Sequence, residues 1–180
     1  ATFGARVLHP RTIKPAISAN IPVRVLNTFN PKAKGTLIIK DAKSLHALRA
    51  ISFKRKIVLI NISSENMLLQ KGFLAKVFTV FARHNISVDL VSVSEVSLSL
   101  TLDNDENLEV AVSQISEFAT VSISRDCSMI SLIGEGIADS TITIRKIFDI
   151  LDKEKIMVRM ISFGATNINI SLVVRLDQME

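Results

Sequence analysis

The chain has 180 residues, 48% of them apolar and 22% charged, with a positive mean hydropathy of +0.36. This balance excludes a disordered chain and leaves enough length for a core, in one domain or two small ones. The net charge of +5 conceals a split: residues 1–56 carry 12 Lys and Arg against one acid, Asp41, and residues 57–180 carry 10 against 16. A basic end of this kind fits nucleic acid, nucleotide phosphate or a solvated face equally well, so charge alone assigns no partner. No apolar run reaches the roughly 18 residues of a membrane span, and no charged-then-apolar segment opens the chain. Cys127 is the only cysteine, which excludes an internal disulfide and points to a reducing, cytoplasmic compartment. His9, His46 and His84 are widely spaced and lack companion ligands, so no metal site is expected. The opening at Ala1, without a methionine, points to a piece of a longer polypeptide.

Residues 1–40 read as one unit: a Gly turn in FGARVLHP (3–10), a short helix in RTIKPAISAN (11–20) with Pro15 near its first turn, then strands in 21–29 and 36–40 around the turn NPKAKG. So few apolar positions make the edge of a domain and not a core. Residues 41–56 are a link, with a strand at 46–53 and a charged turn at KRK (54–56). From 57 onward the chain repeats itself. The first copy has an apolar strand IVLINI (57–62) and a helix with Leu74, Val77, Phe78 and Phe81 at helical spacing. Strands 86–93 and 96–102 follow, then an acidic loop DNDEN, a helix with Leu108, Ala111, Val112 and Ile115, and a strand at 120–125. The second copy has a strand at 129–134, a helix with Ile144, Ile147, Phe148 and Leu151, and strands at 156–163 and 168–174. The order β-α-β-β-α-β is that of a ferredoxin-like module, and the fold class is α+β. The second copy lacks a last strand, which segment 46–53 is free to supply; the first copy is then an insertion in the second. The domains expected are 1–40, a linker and borrowed strand at 41–56, a first module at 57–126 and a shorter second module at 127–180.

One stretch carries chemistry. Gly72 stands at a helix entrance whose first N–H groups, near Phe73 and Leu74, lack intrahelical partners, and the helix dipole favours an anion there. Asp89 lies in the next strand, and Ser94 and Glu95 form the turn after it. If that strand lies beside the helix entrance, one site holds an anion receptor and one or two carboxylates, which suits an amino acid with a basic side chain. The competing reading makes Gly72 a packing glycine and Asp89 and Glu95 solvated acids. Aligning the copies puts Arg159 opposite Asp89 and Ala165 opposite Glu95, so only the first copy has acids to hold an ammonium. KGF at 71–73 is similar to the start of an RNA-recognition motif, yet VSLSLTL offers serines where aromatics must stack, so no nucleic-acid partner is expected. No Ser/His/Asp or Cys/His set marks a catalytic site.

The segments FGARVLHP (3–10), IPVRVLNTFNPKAKGTLI (21–38), NMLLQKGFLAKVF (66–78), HNISVDLVSVSEVSLSLTLD (84–103) and SLIGEG (131–136) resemble, in order and spacing, the C-terminal part of lysine-sensitive aspartate kinases with paired ACT modules. The resemblance implies that 1–40 ends an amino-acid kinase domain and that the rest is the ACT pair. It also implies a parent enzyme that uses ATP and Mg to phosphorylate the β-carboxylate of aspartate, the first step toward lysine, threonine and methionine. Lysine is then a feedback inhibitor, bound at an ACT–ACT interface of a homodimer. Carried onto this sequence, the pocket uses Met67, Phe73, Leu74, Ser87, Val88, Asp89, Ser94 and Glu95. Arg6 replaces the family's nucleotide-proximal lysine, and Val93 and Gln70 depart from the polar residues of many relatives. The phosphate-binding and aspartate-binding motifs are absent from this stretch, so it is expected to be catalytically inactive alone. The alternatives are a ligand-free ACT dimerisation module, or the same module with threonine or another amino acid as effector.

Overall fold

A computed structural model describes residues 8, 10–40, 48–65, 67, 70–134, 136–137, 139–163 and 168–178. The chain divides into two units, Ala1–Ala47 and Leu48–Glu180. In the first, helix α1 (Pro10–Ser18) is followed by strands β1 (Val23–Val25) and β2 (Thr36–Ile38), which pair antiparallel. Pro10, not Pro15, takes the first helical position, where a missing N–H removes no bond; Pro15 falls inside the helix, contrary to the expectation from sequence. Arg6 and the FGARVLHP segment up to residue 7 lie outside the described residues.

The second unit is built on two 14-residue strands, β3 (Ala50–Ser63) and β6 (Thr120–Ile133), paired antiparallel along their length. Both are longer than expected. The sequence predicts a turn at KRK (54–56) and separate strands on either side of residues 126–128, but each strand runs straight through. The register shifts at Arg55/Ile57 and Ile57/Leu59, and Lys56 takes a φ of 60°, so a bulge absorbs the polar residues without ending the pairing.

Helix α2 (Phe73–Arg83), strands β4 (Leu90–Val93) and β5 (Ser97–Leu102) and helix α3 (Leu108–Ser116) lie between those two strands in sequence. Helix α4 (Thr141–Lys153), strands β7 (Val158–Phe163) and β8 (Asn169–Arg175) and a short 3-10 turn at Leu176–Gln178 follow them. The six strands form one sheet in the order β4-β5-β3-β6-β8-β7. The late half of β3 pairs with β5 and with Thr120–Ser124 of β6. The early half, Ala50–Arg55, pairs with Ser128–Ile133, a strand that also holds β8. Each half of the sheet therefore has the strand order second, third, first, fourth. In the C-terminal half, the outermost partner of β6 comes from residues that precede the first copy.

The alternation of β3 explains why its residues 57–62 are apolar almost continuously. Val58, Ile60 and Ile62 face α2 and α3, in a core with Phe73, Val77, Phe81, Leu98, Leu100, Leu108 and Ile115. Ile57 and Leu59 face the other way and cluster with Cys127, Met129, Met160 and Val173. Both faces are buried, as in a strand sandwiched between two layers. A third cluster, Leu132, Ile137, Leu151, Ile170 and Leu172, covers the second copy's helix side. Ser140 caps α4 by accepting a hydrogen bond from the Thr143 amide at 3.2 Å. Asp105 of the acidic loop and Glu109 in the first turn of α3 both hold Arg125, the former at 3.1 Å.

Ile60 is fully buried at the centre of the first copy, whereas Ile51 on the same strand is 60% exposed. Ile60→Ala is expected to lower unfolding free energy by about 2–5 kcal/mol, and Ile51→Ala by well under about 1 kcal/mol, in urea denaturation monitored by circular dichroism.

Candidate functional site

The first copy presents two chemically opposite ends. At one end, β3 leaves the sheet at Ser63, and the Ser64 amide donates to the Val96 carbonyl at 3.1 Å, so this exit lies beside the β4–β5 turn. Gly72 then opens α2 with φ 84° and ψ 7°, a left-handed conformation that glycine adopts without strain. It supplies no side-chain cap, and no acid stands in the first turn. The Phe73 amide donates to the Gln70 carbonyl at 3.3 Å and the Lys76 amide to the Gly72 carbonyl at 2.9 Å. The positive end of the helix dipole is therefore uncompensated by any side chain of the helix.

Ser94 and Glu95 belong to this end. The Ser94 hydroxyl bonds within the turn, to Ser97 Oγ at 2.6 Å, and Glu95 is exposed. Met67 is partly buried against the core; Leu74 is 37% exposed and faces outward. Phe73 has a different place from the one a pocket-lining aromatic would take. It is 3% exposed and packs edge-on to Phe118, with centroids 5.9 Å apart, so it anchors the helix entrance from within.

Asp89 belongs to the opposite end. Strands β3 and β4 both run antiparallel to β5, so they are parallel to each other, and α2 must run back before β4 begins. The Asp89 amide donates to the Thr101 carbonyl at 2.9 Å, while the Ser94 amide donates to the Ser97 carbonyl at 2.8 Å. Four residue steps of strand, roughly 13 Å, separate Asp89 from Val93. Asp89 and Ser87 line a cleft of about 370 Å³ beside the C-terminal end of α2, together with Asp103, Asn104, Glu106 and Asn107. Val88 turns the other way and packs on the core. Carboxylates and the negative end of a helix dipole make this cleft receptive to a cation. The condition set by the sequence reading, that the Asp89 strand end lie beside the helix entrance, is not met within one chain.

Asp89 is held by two residues that sequence reasoning did not assign to the site. Lys54 Nζ lies 3.2 Å from Asp89 Oδ2 and also bonds Asp103. Burial pulls the Lys54 ammonium down, but hydrogen bonds to Asp103 and then Asp89 outweigh it and hold the group above the ordinary lysine value. Burial, followed by hydrogen bonding with Asp103, pushes the Asp89 carboxyl above the ordinary aspartate value against the opposing pull of Lys54. Lys54 sits in the segment expected to turn, and Asp103 in the acidic loop before α3, so no local pattern marks either. In the second copy Arg159 donates to Ser124 Oγ at 2.9 Å, and position 165 lies outside the described residues. No three His, Cys, Asp or Glu side chains gather as a metal site among the described residues, and no described helix is long and apolar enough to cross a membrane.

The ACT domain family matches residues 60–117 and again residues 130–180, one match per copy. The chain belongs to the ACT domain family. Over its whole length the chain is 44% identical to aspartokinase 3, chloroplastic, of Arabidopsis thaliana, of which it covers 34%. It is 37% identical, over 97% of its length, to lysine-sensitive aspartokinase 3 of Escherichia coli, of which it covers 40%. The crystal structure of E. coli aspartokinase III in complex with lysine and aspartate, described as the T-state, superposes on 98% of the chain at a TM-score of 0.83 and 38% identity. The chain spans 40% of the length of that structure. It thus carries two ACT modules in an α+β fold and is similar over its length to aspartokinases.

Gly72→Ala tests the helix entrance. A Cβ at Gly72 meets nothing within 4 Å, so any loss comes from the left-handed backbone and not from a clash. The variant is expected to lose about 1 kcal/mol in thermal or urea unfolding, with an unchanged circular dichroism spectrum.

Proposed function

We propose that the ACT pair is the allosteric regulatory region of an aspartate kinase, and that it binds L-lysine where two copies of the first module meet across a two-fold axis. The observation that carries this reading is the separation of the two half-sites. A zwitterionic amino acid with a second ammonium needs an anion receptor and two acids. One chain places the α2 entrance and Glu95 at one end of the module and Asp89 at the other. β4 is the edge strand and pairs with β5 alone among the described strands. Val91 and Val93 on it are 39% and 51% exposed. Turning a second copy antiparallel along β4 brings its Asp89 to the first copy's α2 entrance, and the reverse, as an isologous interface requires. The ligand carboxylate then meets the free N–H groups of α2 near Leu74, one ammonium meets Glu95, and the other meets Asp89 of the second copy. Met67, Ser87, Val88 and Ser94 frame the two halves, and Phe73 fixes the entrance from below.

In this reading residues 1–40 are the edge of the kinase domain and 41–56 the linker and borrowed strand. Residues 57–126 are the first module and 127–180 the second. The parent enzyme transfers the γ-phosphoryl group of ATP to aspartate, giving 4-phospho-L-aspartate. ATP and Mg are held by parts of the parent outside this chain, with Arg6 in the position of the family's nucleotide-proximal lysine; the described residues offer no cluster to hold the metal, and no step of that chemistry is assigned to them. Lysine acts by linkage, binding one quaternary arrangement better than the other, with a coupling of about 1–3 kcal/mol, or roughly 5–150-fold in affinity. A reducing compartment, cytosol or plastid, suits the lone buried thiol of Cys127.

Calorimetric titration of the chain with L-lysine, threonine and methionine, repeated on Asp89→Ala, tests the reading. Saturable lysine binding that disappears in Asp89→Ala is the expected result, with one lysine per chain and a dimer in light scattering. Threonine binding instead would reassign the effector, and silence with all three in a folded dimer would leave a dimerisation module.

The pH dependence follows from Asp89. Its carboxyl must be ionised to hold an ammonium, and burial with Asp103 nearby raises its pKa while Lys54 opposes the rise. Lysine binding is therefore complete at neutral pH and falls away on acidification at a higher pH than an unperturbed aspartate would give. Calorimetry across the acidic range checks this, and Asp89→Asn is expected to remove both the binding and the step.

A further inference from the structure

The carboxylate proposed to receive the effector's ammonium already holds an ammonium of the chain, and we infer that Lys54 is a built-in competitor that sets how tightly the effector binds. This rests on the lysine site proposed above and names a determinant of its affinity.

Four features of the geometry support it. The occupant matches the ligand in chemistry: Lys54 Nζ lies 3.2 Å from Asp89 Oδ2, where the ammonium of a free lysine would sit. The bond is exchangeable, because the Lys54 and Asp89 side chains are 42% and 31% exposed, and pairs this wet are weak. The displaced group has somewhere to remain. Lys54 also bonds Asp103, so an arriving ammonium takes Asp89 without stranding a charge. The cleft lined by Ser87, Asp89, Asp103 and Glu106 opens on this carboxylate and admits the newcomer. Binding is then an exchange of one ammonium for another, and the charge of Lys54 governs it, not its shape.

A rival role makes the opposite prediction. If Lys54 serves the site by screening Asp103 and holding Asp89 in place, its loss weakens effector binding. Lys54→Met, Lys54→Gln and Lys54→Arg in the full chain separate the two by lysine calorimetry at one ionic strength. The neutral variants are expected to bind lysine about three- to tenfold more tightly, the scale of removing one nearby charge at a partly exposed site. Lys54→Arg is expected to restore the wild-type constant to within about twofold, because it keeps the competing charge. In the wild-type chain, lysine saturation is also expected to move the Lys54 Cε resonance in ¹³C NMR, a readout that needs no variant to fold. Unchanged or weaker binding by the folded neutral variants, or a Lys54 resonance that stays still at saturation, overturns the inference while leaving the effector site standing. Absence of lysine binding in the wild-type chain overturns the effector reading, and this one with it.

Discussion

The structure depends on β3 and β6 staying paired through the polar residues at their middles. Each strand serves two halves of one sheet, and each half supplies the other with its fourth strand. Bulging at Lys56 is what permits this, because one residue is set aside without breaking the run of backbone hydrogen bonds. Were the chain to turn at 54–56, the C-terminal half would lose the partner of Ser128–Ile133 and expose an apolar edge. The cluster of Ile57, Leu59, Cys127, Met129, Met160 and Val173 forms on the face opposite the first module's helices, where the two strands pass from one half to the other.

The same topology keeps the α2 entrance and Asp89 apart within one chain. A β-α-β unit sends its helix back along the sheet, so the entrance of α2 and the start of β4 lie about one helix length apart, roughly 16 Å for 11 residues. Anion-receptive and cation-receptive features are thus held at opposite ends by a rigid element. In the proposed dimer a second copy, turned end for end, lets a single small molecule join them. Under that proposal ligand binding and subunit arrangement become one equilibrium, which is the physical requirement for an effector that acts through quaternary state.

Local electrostatics add a second layer. Asp89 and Asp103 share Lys54, and burial and the neighbouring Asp103 raise the cost of ionising Asp89 while the ammonium offsets it. A neutralised acid is a poorer receptor than a bare one. In the proposed site, affinity is then set partly by Lys54 of β3, which need not touch the ligand.

Much of this was legible in the residues. The doubled helix spacing of Leu74 to Phe81 and Ile144 to Leu151, and the apolar run IVLINI, specify two α+β modules, because burial periodicity is written locally in the chain. The acids of the first copy, with Arg159 opposite Asp89 and Ala165 opposite Glu95 in the second, are what directed the proposed ligand chemistry to the first module. Other features were not visible. Lys56 becomes a bulge and not a turn because long-range pairing with β6 outweighs local polarity. Phe73 becomes core because Phe118, 45 positions away, packs against it. Lys54 and Asp103 join Asp89 because strand order brings them to one sheet end, and strand order is a property of pairing between distant segments that no window of sequence contains.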